Sequence, residues 1–206
     1  MFKIYMIKVD TGCKTIFRYD NLLDNETCSK LYDYITSIKS TPTDNTIMPW
    51  FEKNSFQWME IKDKSLKKKI YEYRETLKKL VNEVYNKNYY IDFTDIVLWH
   101  KHKSMPLHND DGNEKMKVLN RRKVTTVTYI NDNFEGGETF IKNETGKDYI
   151  SKPKTGSVVI LLSDTTNLHG VNEVLSGLRL TLPIWFCEEA EYSENNRFKN
   201  LIKELI

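Results

Sequence analysis

KVTTVTYINDNFEGGETFI, residues 123–141, decides the fold. Its first nine residues place Thr125, Val127 and Tyr129 on one face and Val124, Thr126 and Thr128 on the other, the two-residue period of a strand. β-Branched side chains fill it, as suits a pleated surface packed on both sides. The DN-FEGG segment then supplies turn residues, and GGETFI starts a second β-rich run. Three similar runs flank it: IDFTDIVLWH at 91–100, GSVVILLS at 156–163 and GLRLTLPIWF at 177–186. NDDG at 109–112, NETGKD at 143–148 and SKPKTG at 151–156 separate them. Several short strands joined by such turns predict a sandwich or barrel.

The first 90 residues read differently. After one or two short strands they are mainly helical. Asp24 is placed to cap a helix with Cys28, Leu31, Ile35 and Ile38 on one face. A longer helix over 63–87 carries Leu66, Ile70, Tyr73, Leu77, Leu80, Val81 and Val84 at helical spacing. The class is therefore α+β with a mainly β core. The expectation is one domain over 1–206: helical support at 1–90, packed on one face of a β core at 91–187, then a C-terminal segment at 188–206. That segment is read as one charged helix, roughly 193–206, packed outside.

With 206 residues and 39% hydrophobic side chains, the chain can bury a sizeable core. Its 31 basic and 29 acidic residues nearly cancel, so no general field favours nucleic acid or anionic lipid. Cys13, Cys28 and Cys187 form no CxxC pair and read as free thiols of a reducing compartment, so a cytoplasmic protein is expected. The longest aliphatic run, Val158 to Leu162, is too short to span a bilayer, and no membrane partner is expected.

The β half carries the chemistry. In an extended His108-Asn109-Asp110, positions i and i+2 point the same way, so one imidazole and one carboxylate can share a metal. His169 follows the apolar run ending at Leu162, and Arg179 lies ten residues beyond it inside GLRLTLPIWF. Two histidines and a carboxylate on one octahedral face leave positions open for a chelating co-substrate and dioxygen, as in non-haem iron(II) sites. A dicarboxylic co-substrate would leave its far carboxylate inside the barrel, where a guanidinium can pair with it bidentately. Thr181, Pro183 and Trp185 share the face of Arg179, and the Tyr129 hydroxyl could add a hydrogen bond to the same carboxylate.

At these residues the chain resembles the prolyl 4-hydroxylase-like branch of the 2-oxoglutarate/iron(II) oxygenases. The resemblance rests on H-x-D at 108–110, VTYINDNFEGGETF near YLND-x-FEGGET-x-F, KPKTGSVVILLSD at 152–164, and HGVNEVLSGLRLTLPIWF at 169–186. NLLDNETCSKLYDYI at 21–35 resembles the family's leading helix. It implies a double-stranded β-helix, a cupin-like jelly roll. It implies iron(II) on His108, Asp110 and His169, these three with Arg179 forming the catalytic set. It also implies 2-oxoglutarate on Arg179 and Tyr129, with Thr181 and Trp185 lining the pocket, dioxygen as the other co-substrate and ascorbate as a reductant. The implied substrate is a prolyl residue in a peptide or protein. The alternatives are a free amino acid or other small molecule, or a jelly-roll binding module without turnover. Nucleic-acid demethylases of this class carry a second arginine about six residues past the co-substrate arginine, and here Trp185 stands there, so a nucleic-acid partner is not expected.

One departure lies at WHKHKSMPL, residues 99–107, where many relatives carry a Tyr-Gly-Pro-Gly-type segment. Trp99 or His100 takes the place of a co-substrate tyrosine. His100 and His102 make a rival His-x-His pair, read as strand polarity or as residues of the pocket mouth. Trp50, Phe51, Phe56 and Trp58 form either a substrate lid or a loop packed on the core, the latter preferred. Lys115, Lys117, Arg121, Arg122 and Lys123 read as a solvated loop or an acidic-partner surface, and Gly136-Gly137 as a tight turn without direct chemistry.

Overall fold

The computed structural model describes residues 6–39, 54–112, 119–143 and 147–205. The chain begins with β1 (Ile7–Val9), β2 (Phe17–Asp20), helix α1 (Asn25–Lys39), β3 (Ser55–Gln57) and helix α2 (Lys64–Tyr85). β4 (Tyr90–Trp99), β5 (Met105–His108), β6 (Val124–Tyr129), β7 (Glu135–Gly136), β8 (Thr139–Asn143) and β9 (Tyr149–Ser151) follow. Then come β10 (Val158–Leu162), β11 (Asn167–Val171), β12 (Val174–Ser176) and β13 (Arg179–Cys187).

These strands form a major sheet in the order β1-β2-β10-β6-β13-β4-β3 and a minor sheet in the order β5-β11-β8-β9, with β12 and β7 as a separate pair. All registers are antiparallel. Side chains join the two sheets: Ile141 of β8 packs with Val159 and Leu161 of β10, and Tyr129 of β6 bonds Thr139 of β8. The expected GGETFI strand is split into β7 and β8, because Gly136 and Gly137 both take positive φ, 71° and 63°, and turn the chain between them.

Alternation along β13, buried throughout its nine residues, separates core from site. Leu180, Leu182, Ile184 and Phe186 join the core formed with Leu31 and Ile35 of α1 and Ile70 and Leu77 of α2. Arg179, Thr181 and Trp185 alternate with them and face the interior between the sheets. The helices form as their spacing predicts. Asp24 accepts from the Thr27 amide at 2.8 Å and Asp63 from the Leu66 amide at 3.0 Å, each satisfying a free N-terminal donor. Ile38 departs from the expected face: the buried stripe of α1 ends at Ile35, and Ile38 is half exposed.

The short strands expected before the helices are β1 and β2, which extend one side of the major sheet; β3, between the helices, was not expected and extends the other. The expected C-terminal helix is also broken. A 3-10 turn at Ala190–Tyr192 precedes α3 (Glu194–Arg197) and α4 (Lys199–Lys203), with Phe198 leaving helical geometry between them (φ −115°, ψ 27°). The break accompanies two anchors on β4: Glu194 bonds Thr94, and Arg197 donates to the Asp92 carbonyl. Phe56 and Trp58 are buried core rather than lid, whereas Trp50 and Phe51 lie outside the described residues. No helix among the described residues is long and apolar enough to cross a membrane.

The Trp58 indole donates to Glu194 at 3.2 Å, and the Arg74 guanidinium lies 3.9 Å from the Trp58 ring centroid. Arg74 pairs with Glu194 at 2.5 Å and donates to Thr94 at 2.8 Å, with both charged side chains almost fully buried. Burial pushes the Glu194 pKa up and the Arg74 pKa down, while their mutual attraction opposes both shifts. A buried carboxylate stripped of its cation is far costlier than the pair. Arg74→Met is therefore expected to destabilise the fold by roughly 3–5 kcal/mol, and adding Glu194→Gln, which removes the stranded charge but keeps an acceptor for Trp58 and Thr94, should restore part of that loss. Urea unfolding midpoints of the wild type, the single and the double variant provide the check. A single variant as stable as the wild type would contradict a stabilising role for the Arg74–Glu194 pair.

Candidate metal and co-substrate site

Strand pairing brings the metal-ligand candidates together. β11 runs antiparallel to β5 with His169 directly opposite His108. Their imidazole centroids are 4.5 Å apart. Just past β5 the chain turns, and the Asp110 and Asp111 amides both donate to the Ser163 carbonyl at the end of β10, at 2.8 and 3.0 Å. This clamp returns the Asp110 carboxylate to the two rings: Oδ1 lies 3.5 Å from His108 Nε2 and Oδ2 3.2 Å from His169 Nε2. One ligand atom from each of the three residues falls within 4.8 Å of the others. Gly170 permits the close approach, since a Cβ there would lie 2.5 Å from the Phe140 ring and 2.6 Å from the Met105 carbonyl.

The donor set fits a metal ion. His108 Nδ1 faces the Pro106 carbonyl at 2.8 Å and His169 Nδ1 the Asn167 carbonyl at 3.3 Å. A carbonyl only accepts, so each Nδ1 carries the proton and each Nε2 lone pair is directed to the shared space. Burial opposes ionisation of Asp110, but the neighbouring His169 and His108 outweigh it and hold its pKa well below the usual carboxylate range. Burial likewise disfavours the charged His108 ring, yet Asp110 raises its pKa. Three protein ligands of N, N and O type leave other coordination positions free.

Two donors fix the Asp110 carboxylate. Trp185 Nε1 and Thr125 Oγ1 each donate to Oδ2 at 2.8 Å, and Thr125 is itself 2.8 Å from the Ser163 hydroxyl. The sequence placed Trp185 on the pocket wall and Thr125 on the face of Tyr129. Their bonds to Asp110 were missed, although strand alternation carried the signal.

Farther along β13, Arg179 is 1% exposed. Among the described residues its hydrogen-bond acceptors are neutral oxygens: the Gly137 carbonyl at 2.8 Å, Thr139 at 3.2 Å and Thr181 at 3.3 Å. Burial lowers its pKa, with Tyr129 and Glu138 opposing. The guanidinium lies 4.9 Å from the Trp99 ring centroid and 5.4 Å from that of Tyr129. A buried cation bonded to neutral acceptors suits a bound anion. Tyr129, Thr181 and Arg179 are thus together, as expected. The Tyr129 hydroxyl contacts Thr139 Oγ1 at 2.8 Å and the Ser151 carbonyl at 2.9 Å, which fixes the ring beside Arg179.

Of Trp99 and His100, it is Trp99 that lies beside Arg179, and its indole reaches Thr181 at 3.3 Å. His100 is buried, neither ring nitrogen has a hydrogen-bond partner among the described residues, and burial lowers its pKa. His102 lies exposed against Glu173 at 2.8 Å, so the two rings share no site. Gly137 does more than the expected turn. Its carbonyl receives Arg179, and a Cβ there would sit 2.9 Å from Arg179 Cδ. Arg121 and Arg122 pair with Asp92 instead of lying free in a solvated loop, while Lys115 and Lys117 fall outside the described residues.

Residues 94–187 match the family model described as the 2OG-Fe(II) oxygenase superfamily. Prolyl 3-hydroxylase 2 of Homo sapiens is 32% identical over 107 residues, 47% of this chain, and the chain spans 15% of that relative's length. Among solved structures, a prolyl hydroxylase of Trichoplax adhaerens in complex with a hypoxia inducible factor peptide fragment aligns at a TM-score of 0.68 and 16% identity. That alignment covers 88% of this chain and 87% of the other. A Pseudomonas putida prolyl-4-hydroxylase aligns at 0.64 and 16%, covering 88% and 96%. At such identities these two likenesses are of fold, the jelly roll of 2-oxoglutarate oxygenases.

Removing one donor from a three-ligand site leaves too few bonds to hold a labile ion. His108→Ala and His169→Ala should each lower metal content from about one ion per chain to a small fraction, at unchanged folded yield. Metal analysis after equilibration with iron(II) or cobalt(II) reads this, and full occupancy in both variants would refute the assignment.

Proposed function

Taking likeness to the prolyl hydroxylase-like 2-oxoglutarate oxygenases as the premise, we propose that this chain is an iron(II)- and 2-oxoglutarate-dependent dioxygenase acting on a prolyl residue in a peptide or protein. The observation that carries the reading is the pairing of two sites along β13. Trp185 fixes the carboxylate of a His-Asp-His cluster, and Arg179 is a buried cation bonded to neutral oxygens. His108, Asp110 and His169 would hold iron(II) through Nε2, one carboxylate oxygen and Nε2. With dioxygen and 2-oxoglutarate, the bound iron supplies the oxidising power for C–H hydroxylation, the co-substrate leaving as succinate and carbon dioxide.

The chain's own groups bind, orient and exclude water. Arg179 pairs with the far carboxylate of 2-oxoglutarate, which replaces neutral acceptors by a charged one. Thr181 and Tyr129 shape that end, and Trp99 closes it with an apolar face. Trp185 and Thr125 hold one oxygen of Asp110 so that the carboxylate does not rotate as ligands exchange. Most polar groups on this inner face are already hydrogen-bonded, so little reorganisation accompanies binding.

A prolyl substrate is supported by the names of the relatives and by proline's physics. Its ring fixes φ, the flanking peptide stays near polyproline II, and a ring C–H is presented at little ordering cost. The human relative is named a 3-hydroxylase and the bacterial one a 4-hydroxylase, so product analysis must read the ring position.

Arg179→Ala should raise the 2-oxoglutarate concentration needed for half-maximal rate tenfold or more, since truncating one partner of a buried charge pair costs on the order of 2–5 kcal/mol. An unchanged dependence would assign the far carboxylate elsewhere. For the substrate, succinate release from 2-oxoglutarate should rise with proline-rich peptides, and mass spectrometry should find one added oxygen on proline. If free amino acids give both signals and peptides give neither, a small-molecule hydroxylase replaces the peptidyl reading.

A further inference from the structure

Beside the metal cluster lies a group of charges that the mechanism above does not use. Asp92 of β4 is fully buried and accepts from Arg121 Nε at 2.7 Å, with Arg122 Nε at 3.4 Å and Arg197 at 3.7 Å. The Arg122 side chain is 13% exposed, and its guanidinium sits 4.3 Å from the centroid of the Trp185 ring. The same indole donates Nε1–H to Asp110 at 2.8 Å, and Phe93 packs 6.0 Å from it at a 33° tilt. The four groups thus form a continuous series: buried carboxylate, guanidinium, indole, ligand carboxylate.

A cation over an aromatic face is attracted by the electron density of that face. It draws density from the ring, which makes the indole N–H a stronger donor at the ring edge. The contact also fixes the plane of the ring, and with it the direction of the N–H bond. We propose that Arg122 is a positioning residue of the metal site, braced by Asp92 and acting through Trp185 to orient the Asp110 carboxylate. The inference rests on the metal reading given above.

Direct electrostatics opposes this relay, which makes the test decisive. Arg122 is a positive charge near the cluster, and the Asp110 carboxylate counters the lowering that burial imposes on its pKa. If charge repulsion alone mattered, removing Arg122 would tighten the binding of a divalent cation. If the relay operates, removing it weakens binding, because a ligand carboxylate that loses its supporting bond loses affinity, typically 10–100-fold.

The experiment is cobalt(II) titration by calorimetry, with thermal melts alongside, on the wild type, Arg122→Gln, Trp185→Phe and the double variant. Trp185→Phe keeps an aromatic ring but removes the donor. Arg122→Gln is expected to weaken cobalt(II) binding by roughly tenfold, near the lower end of such effects. The double variant should bind no more weakly than Trp185→Phe alone. Arg122→Lys, which keeps the charge but not the planar stack, should fall between wild type and Arg122→Gln, and it serves if the glutamine variant does not fold. Unchanged or tighter binding in Arg122→Gln overturns the relay, as does a further equal loss in the double variant. A wild type that binds no cobalt(II) would instead refute the metal reading itself.

Discussion

The antiparallel pairing of β11 with β5 is the constraint on which the site depends. It sets His169 opposite His108, and a slip of one residue would send one imidazole to the other face of the minor sheet. The pairing tolerates no bulk at Gly170, where the backbone of β5 and the Phe140 ring close in. Register, close packing and ligand geometry are therefore one requirement seen three ways. Asp110 is brought to the same point from outside the strand, by amides that bond the end of β10 in the other sheet.

β13 turns a polar face to the interior between the sheets and an apolar face to the helices. Arg179, Thr181, Thr139, Thr125, Ser163 and Tyr129 are all buried, and they hydrogen-bond to one another or to backbone carbonyls. Such a network is stable because its members are satisfied, and it fixes side-chain directions more sharply than apolar packing does. The helices cover the opposite face of the same strand, where Leu180, Leu182, Ile184 and Phe186 continue the core. A rigid support thus lies directly behind the residues that would meet the co-substrate.

Much of this was legible in the sequence because period-two alternation is a local property. The faces of β6 and β13 and the helical stripe from Leu66 to Val81 follow from spacing alone, whereas Asp110 meets His108 by a bend past the end of β5 and not by the extended i and i+2 relation expected. What sequence could not supply depends on distant partners. Ile38 continues the α1 pattern, yet the core ends before it. Trp58 reads as packed on the core in preference to a lid, and it is buried there, but its partners Arg74 and Glu194, 16 and 136 residues away, could not be read from spacing. The break at Phe198 reflects anchors on β4 rather than any breaker residue. Arg121 and Arg122 look like loop charge until Asp92, one of two acidic residues in strand β4, is seen to gather them.

The fit of Gly137 against Arg179 carries a consequence for how such a chain can change. Any larger residue at 137 collides with the Arg179 stem and must also adopt a backbone conformation that favours glycine. Shortening Arg179 first would relieve the collision but strand the neutral acceptors that now hold it. Each position is therefore a one-way gate for the other: the glycine can drift only after the arginine has gone. Divergence toward a co-substrate without a far carboxylate would have to begin at 179, and a glycine retained at 137 beside a different residue would be the trace of that order.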